Sequence, residues 1–330
     1  MPASNVRLPF PLTRLNPFYP GQIGVPGAWT DTGLRTHPTG TVFYVDPNYP
    51  GASDDRDGTD PTAPLLTVAA ALTKCSAYQG DIIMLTANAG WEYAEGVNYP
   101  TVISEAVEVT VPGVSIVGAF GASSVGVVWS PPTAGATCIT VSAIDVLIEG
   151  ICFAGDDAIG GDAIYAQWAG GVTALWGDNL TVRNCFFDHD IDTAIEIEFA
   201  WYCDIHDNVF DHCGVAGIIS DVGGAGADYN SIHKNTFINL PLAISLLGGA
   251  SYNDIFDNRL YNSDAQAGAA AANVFINTTG GSRNLVHHNV LSCLLPVPAV
   301  GDYNNTCTAA GSDAWVQNYC LDGPTVTNPT

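Results

Sequence analysis

The chain repeats one short phrase six times between residues 148 and 291. Each copy has an aliphatic residue, two variable residues, usually a small or amide residue, one variable residue, and then Phe or Leu. The copies begin 34, 23, 27, 23 and 31 residues apart, at Ile148, Val182, Ile205, Ile232, Ile255 and Val286. Internal repetition on this scale is typical of stacked supersecondary units. The sequence therefore predicts a solenoid whose unit of about 23 residues carries variable insertions.

Short strands separated by Gly, Asn and Asp turns fill each repeat, and no crossover helices lie between them. Two or three strands per unit predict an all-β fold, a single-stranded right-handed parallel β-helix. If Ile205 points inward, His206 points outward, Asn208 occupies the bend and Phe210 points inward again. Residues equivalent to Asn208 would form an internal column at about 4.8 Å spacing, where amides can hydrogen-bond. This predicted structural ladder consists of Cys185, Asn208, Asn235, Asn258 and Asn289.

Four segments are predicted along the chain. Residues 1–40 form an extended proline-rich arm, and residues 41–110 form an N-terminal cap with the first rungs. Residues 111–295 form the β-helix, and residues 296–330 form a C-terminal cap or tail that begins at two prolines. The apolar spacing within residues 64–75 predicts a short helix, which would cover the exposed first rung of the solenoid.

The charge balance limits what the chain can bind. It has 33 acidic and 9 basic residues, a net charge of −24, and residues 1–40 alone carry +2, so the remainder carries −26. Phosphate binding needs clustered Lys and Arg, so neither nucleic acid nor an anionic membrane is an expected partner. The sequence contains no run of eighteen apolar residues and no recognisable signal peptide in its first 20 residues.

Cysteines and histidines are predicted to be structural. Nine cysteines, an odd number without a CxxC pair, favour reduced side chains packed as small apolar residues. His206, His233 and His287 share an outward column that Phe256 interrupts, which favours a solvated or subunit-facing surface over a metal or general-base site. No cofactor is predicted. Residues 55–60 match part of a calcium loop without its distal glutamate, so a plain turn is favoured and calcium is the alternative.

The repeated phrase and the strands with an Ala-Ile step resemble the pectin-lyase-like superfamily, over roughly residues 41–295. That resemblance implies the β-helix fold. It also implies that the chain could cleave polysaccharide, because many members of the superfamily do. Asp156 and Asp157 resemble the paired aspartates of polygalacturonase-type hydrolases. The Gly-His-Gly and Arg-x-Lys segments of those enzymes are absent, so the two aspartates are weak catalytic candidates. A lyase is disfavoured, because Arg183, Lys234 and Arg259 fall at different positions of the phrase.

The proline-rich arm cannot build a core of its own, so we expect it to order on a partner. Its basic and aromatic residues are Arg7, Phe10, Arg14, Phe18, Tyr19 and Trp29. The arm, the segments Gly40-Thr-Val-Phe-Tyr-Val-Asp46 and Gly80-Asp-Ile-Ile83, and the repeats together resemble structural proteins of tailed bacteriophages.

The phage resemblance implies a virion protein that is made in the host cytoplasm and forms a homotrimer. Because the catalytic candidates are weak and the arm needs a partner, we favour a non-enzymatic capsid decoration protein that is anchored by its arm to the major capsid protein or another virion protein. The alternative is a tail appendage or tailspike-like β-helix enzyme that binds or cleaves host polysaccharide. An enzyme should have a groove with carboxylates about 5–10 Å apart, which a decoration protein does not need.

Overall fold

A computed structural model describes residues 40–86, 103–119, 126–154, 161–169, 175–188, 191–220, 226–262, 274–278, 281–293, 303–304 and 313–320. These residues form three parallel sheets that run along one axis. Each full rung contributes one strand to the first sheet, then one to the second and one to the third. The predicted fold class is confirmed: the chain is a parallel β-helix.

The bounds of the strands follow the repeat. The first sheet contains Val42–Val45, Ile82–Leu85, Ser115–Gly118, Leu147–Glu149, Thr181–Arg183, Asp204–His206, Ser231–His233, Asp254–Phe256, Leu285–His287 and Ala314–Val316. The second sheet contains Val127–Trp129, Ile151–Phe153, Phe186–Phe187, Val209–Asp211, Thr236–Ile238, Arg259–Asn262, Val290–Cys293 and Tyr319–Cys320. The third sheet contains Val107–Val109, Ile139–Val141, Ile164–Ala166, Thr193–Ile197, Ala216–Ser220, Leu242–Leu246, Val274–Asn277 and Tyr303–Asn304. Trp168–Ala169 and Leu175–Trp176 form an antiparallel hairpin.

The core lies between the three sheets and consists of columns of like side chains. The inward column of the first sheet is aliphatic and includes Ile148, Ile205 and Ile255, which are fully buried. The second sheet contributes a column of buried aromatic rings, Trp129, Phe153, Phe187, Phe210 and Phe237, whose neighbouring centroids lie 6.3, 5.1, 4.8 and 4.6 Å apart. The repeated phrase therefore specifies one inward residue on each of two sheets and the buried corner between them.

One helix, Val68–Lys74, lies beside the first rungs. Thr67 caps it, because its Oγ1 accepts a hydrogen bond from the Ala70 amide at 3.1 Å. The helix is shorter than the sequence predicts, because Leu65 instead forms a parallel bridge with Val45 and is fully buried there. Within the described ranges, no helix has the length and hydropathy that crossing a bilayer requires.

Parallel pairing is present in the segment predicted as the cap and first rungs, and again after the prolines that precede the predicted C-terminal cap. Val42–Val45 already pairs with Ile82–Leu85 in the first sheet. Ala314–Val316 pairs with Leu285–His287, beyond the prolines at 296 and 298. Proline interrupts a strand where its missing amide is needed, but a turn between rungs accepts it. A further rung can therefore follow the prolines.

Candidate functional site

The corner between the first and second sheets contains the predicted asparagine ladder. The Cys185 amide donates to Asn208 Oδ1 at 2.9 Å, and the Asn208 amide donates to Asn235 Oδ1 at 3.1 Å. The same pattern continues through Asn258 and Asn289 to Asn318. Each asparagine from 208 onward also donates from Nδ2 to a backbone carbonyl of the preceding rung. These amides are buried and bonded to one another, so they hold the corner together and do not face a ligand.

A second ladder, which the sequence analysis missed, lies at the corner where the third sheet leads back to the first. The Cys203 amide donates to Asn230 Oδ1 at 2.7 Å, and the pattern continues through Asn253 and Asn284 to Asp313. The signal was present in the sequence, because an asparagine stands two residues before Ile232, Ile255 and Val286.

Next to the first ladder, a column of exposed polar residues forms the outside of the corner. Asp207, Lys234, Asp257 and His288 directly precede the ladder asparagines and have φ between 55° and 56°. Their amides donate to carbonyls of the next rung, at 3.2–3.4 Å, so they stack one rung apart. The left-handed backbone turns these side chains away from the core, toward solvent. All four are exposed.

A cleft of ≈ 450 Å³ runs along this corner. The four corner residues form one side, and Thr236, Arg259 and Val290 from the second sheet form the other. Lys234 and Arg259 occupy different positions of the repeated phrase, yet both line this cleft because the two positions are adjacent across the corner. Asp207 and Asp257 are two rungs apart, so their Cα atoms are separated by about 9–10 Å. We call this feature the corner groove.

Stacked rings cover the outer face of the first sheet beside the corner groove. Successive ring centroids of His206, His233, Phe256 and His287 lie 4.9, 4.7 and 5.2 Å apart. From Arg183 to His287, the column itself contains no acidic residue. Carboxylates nevertheless reach the rings: His233 Nε2 lies 3.0 Å from Asp204 Oδ1, and His287 Nε2 lies 3.0 Å from Asp254 Oδ1. The aspartates belong to the neighbouring outward column, which lies within reach across one rung.

Asp204 is the carboxyl that these imidazoles affect most. Partial burial raises its pKa, but the hydrogen bond with His233 and the charges of His206, His233 and Arg183 outweigh burial, so the pKa is lowered overall. A carboxyl with a lowered pKa in the folded state stabilises the fold above its ordinary pKa of about 4. That contribution is lost as the pH falls through the folded-state value.

We therefore predict that Asp204→Asn flattens the acid limb of the stability profile. Between about pH 5 and pH 3, the urea midpoint of the wild-type protein should fall more steeply than that of the variant. Asp57→Asn, at an exposed position, is the matched control and should follow the wild type. Parallel profiles for the wild type and Asp204→Asn would contradict the prediction.

Six cysteines whose side chains the structure describes are free thiols, as the sequence predicts: Cys75, Cys138, Cys152, Cys185, Cys203 and Cys213. Burial raises the pKa of Cys185 and Cys203 to about 12, and it also raises the pKa of Cys138, Cys152 and Cys213. The thiolate is the nucleophile and the metal ligand, so these side chains are suited to neither role. Among the described residues, no three His, Cys, Asp or Glu side chains are grouped so that they could hold a metal ion.

A smaller polar patch lies on the outer face of the third sheet. Ser142 Oγ donates to Glu108 Oε1 at 2.7 Å, and Gln167 Nε2 donates to Ser142 Oγ at 3.4 Å. Tyr165 Oη donates to Glu198 Oε2, and burial raises the pKa of Glu198. These groups bond to one another. In the corner groove, Asp207 lies 2.8 Å from His206 Nδ1, but Lys234, Asp257 and Arg259 are exposed to a ligand. The groove is therefore the stronger candidate site.

Several predicted residues fall elsewhere. Asp156 and Asp157 lie outside the described residues, as do all members of the arm: Arg7, Phe10, Arg14, Phe18, Tyr19 and Trp29. The calcium-like turn at residues 55–60 uses its carboxylates locally: Asp57 Oδ1 accepts from the Thr59 amide at 3.1 Å, and Asp60 Oδ1 accepts from the Thr62 amide at 2.8 Å. These are the bonds of ordinary turns.

Comparison with known proteins gives a family match over part of the β-helix. Residues 133–291, slightly less than half of the chain, match the family described as periplasmic copper-binding protein (NosD). No curated protein sequence matches the chain at a significant level. Among solved structures, the native GH136 lacto-N-biosidase from Eubacterium ramulus has 11% identity and a TM-score of 0.39, over 85% of this chain and 68% of that one. The Dettilon tailspike protein has 13% identity and a TM-score of 0.32, over 87% and 69%. These likenesses are too distant to assign an activity.

Proposed function

We propose that this β-helix binds a polysaccharide along the corner groove, as part of a virion tail appendage. The observation that carries the proposal is the lining of the groove, in which carboxylates, cations and a hydroxyl alternate along four successive rungs. That lining is about 14 Å long, three rung spacings. A linear ligand parallel to the rod would meet a new pair of side chains at each rung.

The chemistry of the groove suits a polyhydroxylated ligand. A sugar hydroxyl both donates and accepts hydrogen bonds, so it needs acceptors and donors close together. Asp207 and Asp257 only accept, whereas Lys234 and Arg259 only donate. Hydrogen bonds to charged groups are about twice as strong as neutral ones, which favours such residues for fixing hydroxyl groups.

The charge of the groove and of the whole chain indicates what charge the polysaccharide carries. The chain as a whole carries −24, and the groove itself holds two carboxylates beside its two permanent cations. A strongly anionic polymer would be repelled by this surface. A neutral or weakly charged polysaccharide fits the groove better than a polyuronate or a nucleic acid.

The virion assignment rests on the sequence resemblance to structural proteins of tailed phages. Within that class, the groove favours the tail-appendage alternative over the capsid decoration protein that the sequence analysis favours. A decoration protein needs an anchor and a stable body, and the groove serves neither. Antibody labelling of particles that carry this protein tests the assignment: label should lie on the tail, and label on the head would contradict it.

Arg259→Thr is the test of glycan binding. Thr236 occupies the same column one rung earlier, so the strand accepts threonine there. Losing hydrogen bonds from a charged group costs about 1.5–3 kcal/mol, so affinity for host polysaccharide should fall roughly 10-fold or more in titration calorimetry. Arg56→Thr makes the same change outside the groove and should leave affinity unchanged. Equal affinity in Arg259→Thr and the wild type would show that the corner groove is not the polysaccharide-binding site.

Cleavage is the second candidate function, and one observation favours it. The separation of Asp207 and Asp257, about 9–10 Å between Cα atoms, is close to the 6.5–9.5 Å between carboxyl groups in inverting glycosidases. In such an enzyme one carboxylic acid protonates the leaving oxygen and the other activates water.

If the groove cleaves glycan, Asp207→Asn and Asp257→Asn should each abolish the release of reducing ends while binding persists. Asparagine accepts the left-handed backbone, so the corner stays folded. Asp145→Asn, with φ of 60° outside the groove, is the control. A wild-type protein that binds polysaccharide and releases no reducing ends would leave binding as the whole function.

A further inference from the structure

An aromatic strip runs along the other edge of the first sheet, at the corner between the third and first sheets. It consists of Trp201, Tyr202, Tyr229 and Tyr252, which are 36, 55, 45 and 41% exposed. The ring centroids of Tyr202 and Tyr229 lie 5.3 Å apart, and those of Tyr229 and Tyr252 lie 4.9 Å apart. Arg283 closes one end, with its Cζ 5.3 Å from the Tyr252 centroid.

The turn itself does not need these rings. Asp145, Asn179, Tyr202, Tyr229, Tyr252 and Arg283 occupy equivalent corner positions, with φ between 54° and 62°. Asn and Asp are the non-glycine residues that adopt this left-handed conformation most readily. They occupy two of the six positions, Asp145 and Asn179. The three tyrosines therefore place apolar surface in solvent on a strongly acidic body, at positions where a smaller polar residue would fold.

Acidic residues lie beside the strip, at its Trp201 end and along its length. Asp178 Oδ1 accepts from the Trp201 amide at 2.7 Å, and Asp228 Oδ1 accepts from the Ser251 amide at 2.7 Å. The strip thus has carboxylates beside Trp201 and along its flank, and a guanidinium beyond Tyr252. This polarity gives a bound chain a preferred direction.

The sequence contains a segment with matching chemistry. Arg14-Leu-Asn-Pro17-Phe-Tyr-Pro20 lies in the arm, which carries net +2 against −26 for the rest of the chain. In a polyproline II helix, with three residues per turn, Arg14, Pro17 and Pro20 lie on one side. Proline-rich PxxP segments dock on aromatic surfaces in this conformation, because it is already formed and loses little entropy.

We infer that the segment from Arg14 to Pro20 docks on the aromatic strip as a polyproline II helix. One turn of that helix is about 9.3 Å long, and the three tyrosine rings span about 10 Å. Pro17 and Pro20 lie over the rings, and the tyrosine hydroxyls donate to the carbonyls of the segment, which has no internal hydrogen bonds. Arg14 lies toward Asp178, because the reverse direction would bring it against Arg283.

The length of the arm permits this contact. Twenty residues separate Pro20 from Gly40, and an extended chain of that length reaches at most about 66–72 Å. The strip lies five to seven rungs from Val42 along the axis, about 24–34 Å. The inference is independent of glycan binding, because the strip and the corner groove occupy different corners of the rungs.

Trypsin cleavage of the full-length protein tests the inference. Docking should protect the bond between Arg14 and Leu15, and mass spectrometry gives its cleavage rate. The double variant Pro17→Ala/Pro20→Ala and the variant Tyr229→Asn should each raise that rate on the order of tenfold, because cleavage follows the undocked fraction. The bond after Arg35 lies outside the motif and is the internal control, which should be cut at one rate in all variants.

Tyr78→Asn is the matched control for the aromatic strip. Tyr78 is 58% exposed with φ of 58°, but it lies outside the strip. This variant should leave cleavage after Arg14 unchanged. A peptide with the sequence of residues 15–23, which has no trypsin site, should accelerate cleavage after Arg14 when added in excess, whereas the same peptide with both prolines replaced should not. Equal Arg14 cleavage rates in the wild type, Tyr229→Asn and the double proline variant would overturn the inference.

Discussion

Phe210→Ala is expected to destabilise the protein by about 3–5 kcal/mol, the range for removing a fully buried phenylalanine from a core. Phe210 is fully buried, and its ring stacks between Phe187 at 4.8 Å and Phe237 at 4.6 Å, nearly parallel to both. Removing it leaves a cavity and also ends two aromatic pairs, each worth about 0.5–1.5 kcal/mol. The neighbouring rungs cannot close the gap, because their spacing is fixed by the backbone hydrogen bonds of three sheets.

Urea unfolding followed by circular dichroism measures this loss. Phe210→Leu is the matched control, because Leu260 occupies the same column two rungs away. Leucine fills most of the space and should lose less than half as much stability as alanine. If Phe210→Ala and Phe210→Leu unfolded at the same urea concentration, the aromatic column would not be the source of the stability.

Asn235→Ala should cost about 3–6 kcal/mol although it removes only a small side chain. Asn235 Oδ1 accepts from the Asn208 amide and from Asn208 Nδ2, each at 3.1 Å. Its Nδ2 donates to Ile205 O at 2.8 Å and to Asn258 Oδ1 at 3.1 Å. The variant leaves several of these buried groups unpaired, and each unpaired group costs about 1–3 kcal/mol.

The same urea experiment, with Asn48→Ala as control, tests the ladder. Asn48 is exposed in an N-terminal turn, so its removal should change stability by less than about 0.5 kcal/mol. If Asn235→Ala lost no more stability than the control, water would be hydrogen-bonding the corner groups that the asparagine side chain bonds in the wild type. Asn235→Asp refines the result, since it keeps the shape and the acceptor but replaces the amide donor with a carboxylate oxygen.

The fold could be predicted because one residue type recurs at each structural position. Ile205, Asn208 and Phe210 are each one member of a column of equivalent residues on successive rungs. Because side chains alternate along a strand, the neighbours of Ile205 and Phe210 point outward. The second ladder follows the same logic. It was missed because Asn230, Asn253 and Asn284 lie before the repeated phrase and not within it.

The corner groove could not be predicted in the same way. Columns describe contacts along the axis, whereas the groove forms across a corner, between Lys234 on the turn of one rung and Arg259 on the second-sheet strand of the next rung. The histidine partners were missed for the same reason, since Asp204 lies in a different column from His233. A sequence repeat gives the spacing of rungs directly, but the angle at each corner depends on the backbone conformation of one residue.

The two candidate binding features occupy different corners of the rod. The corner groove lies between the first and second sheets, and the aromatic strip lies between the third and first. A docked arm would therefore leave the groove open to its ligand. In an assembly, one edge could hold a partner segment while the other contacts polysaccharide.

The left-handed corner residues have a consequence for how such a protein changes over generations. Asp, Lys, His, Asn, Tyr, Arg and Gln all occupy these positions here, while the ladder asparagines beside them stay buried. The ladder asparagine bonds the corner backbone from the inside, so those hydrogen bonds do not depend on the outer side chain. New specificity can arise by exchanging a few corner residues on an unaltered scaffold. Each corner is therefore a position where residues that tolerate the left-handed conformation can be exchanged on one backbone.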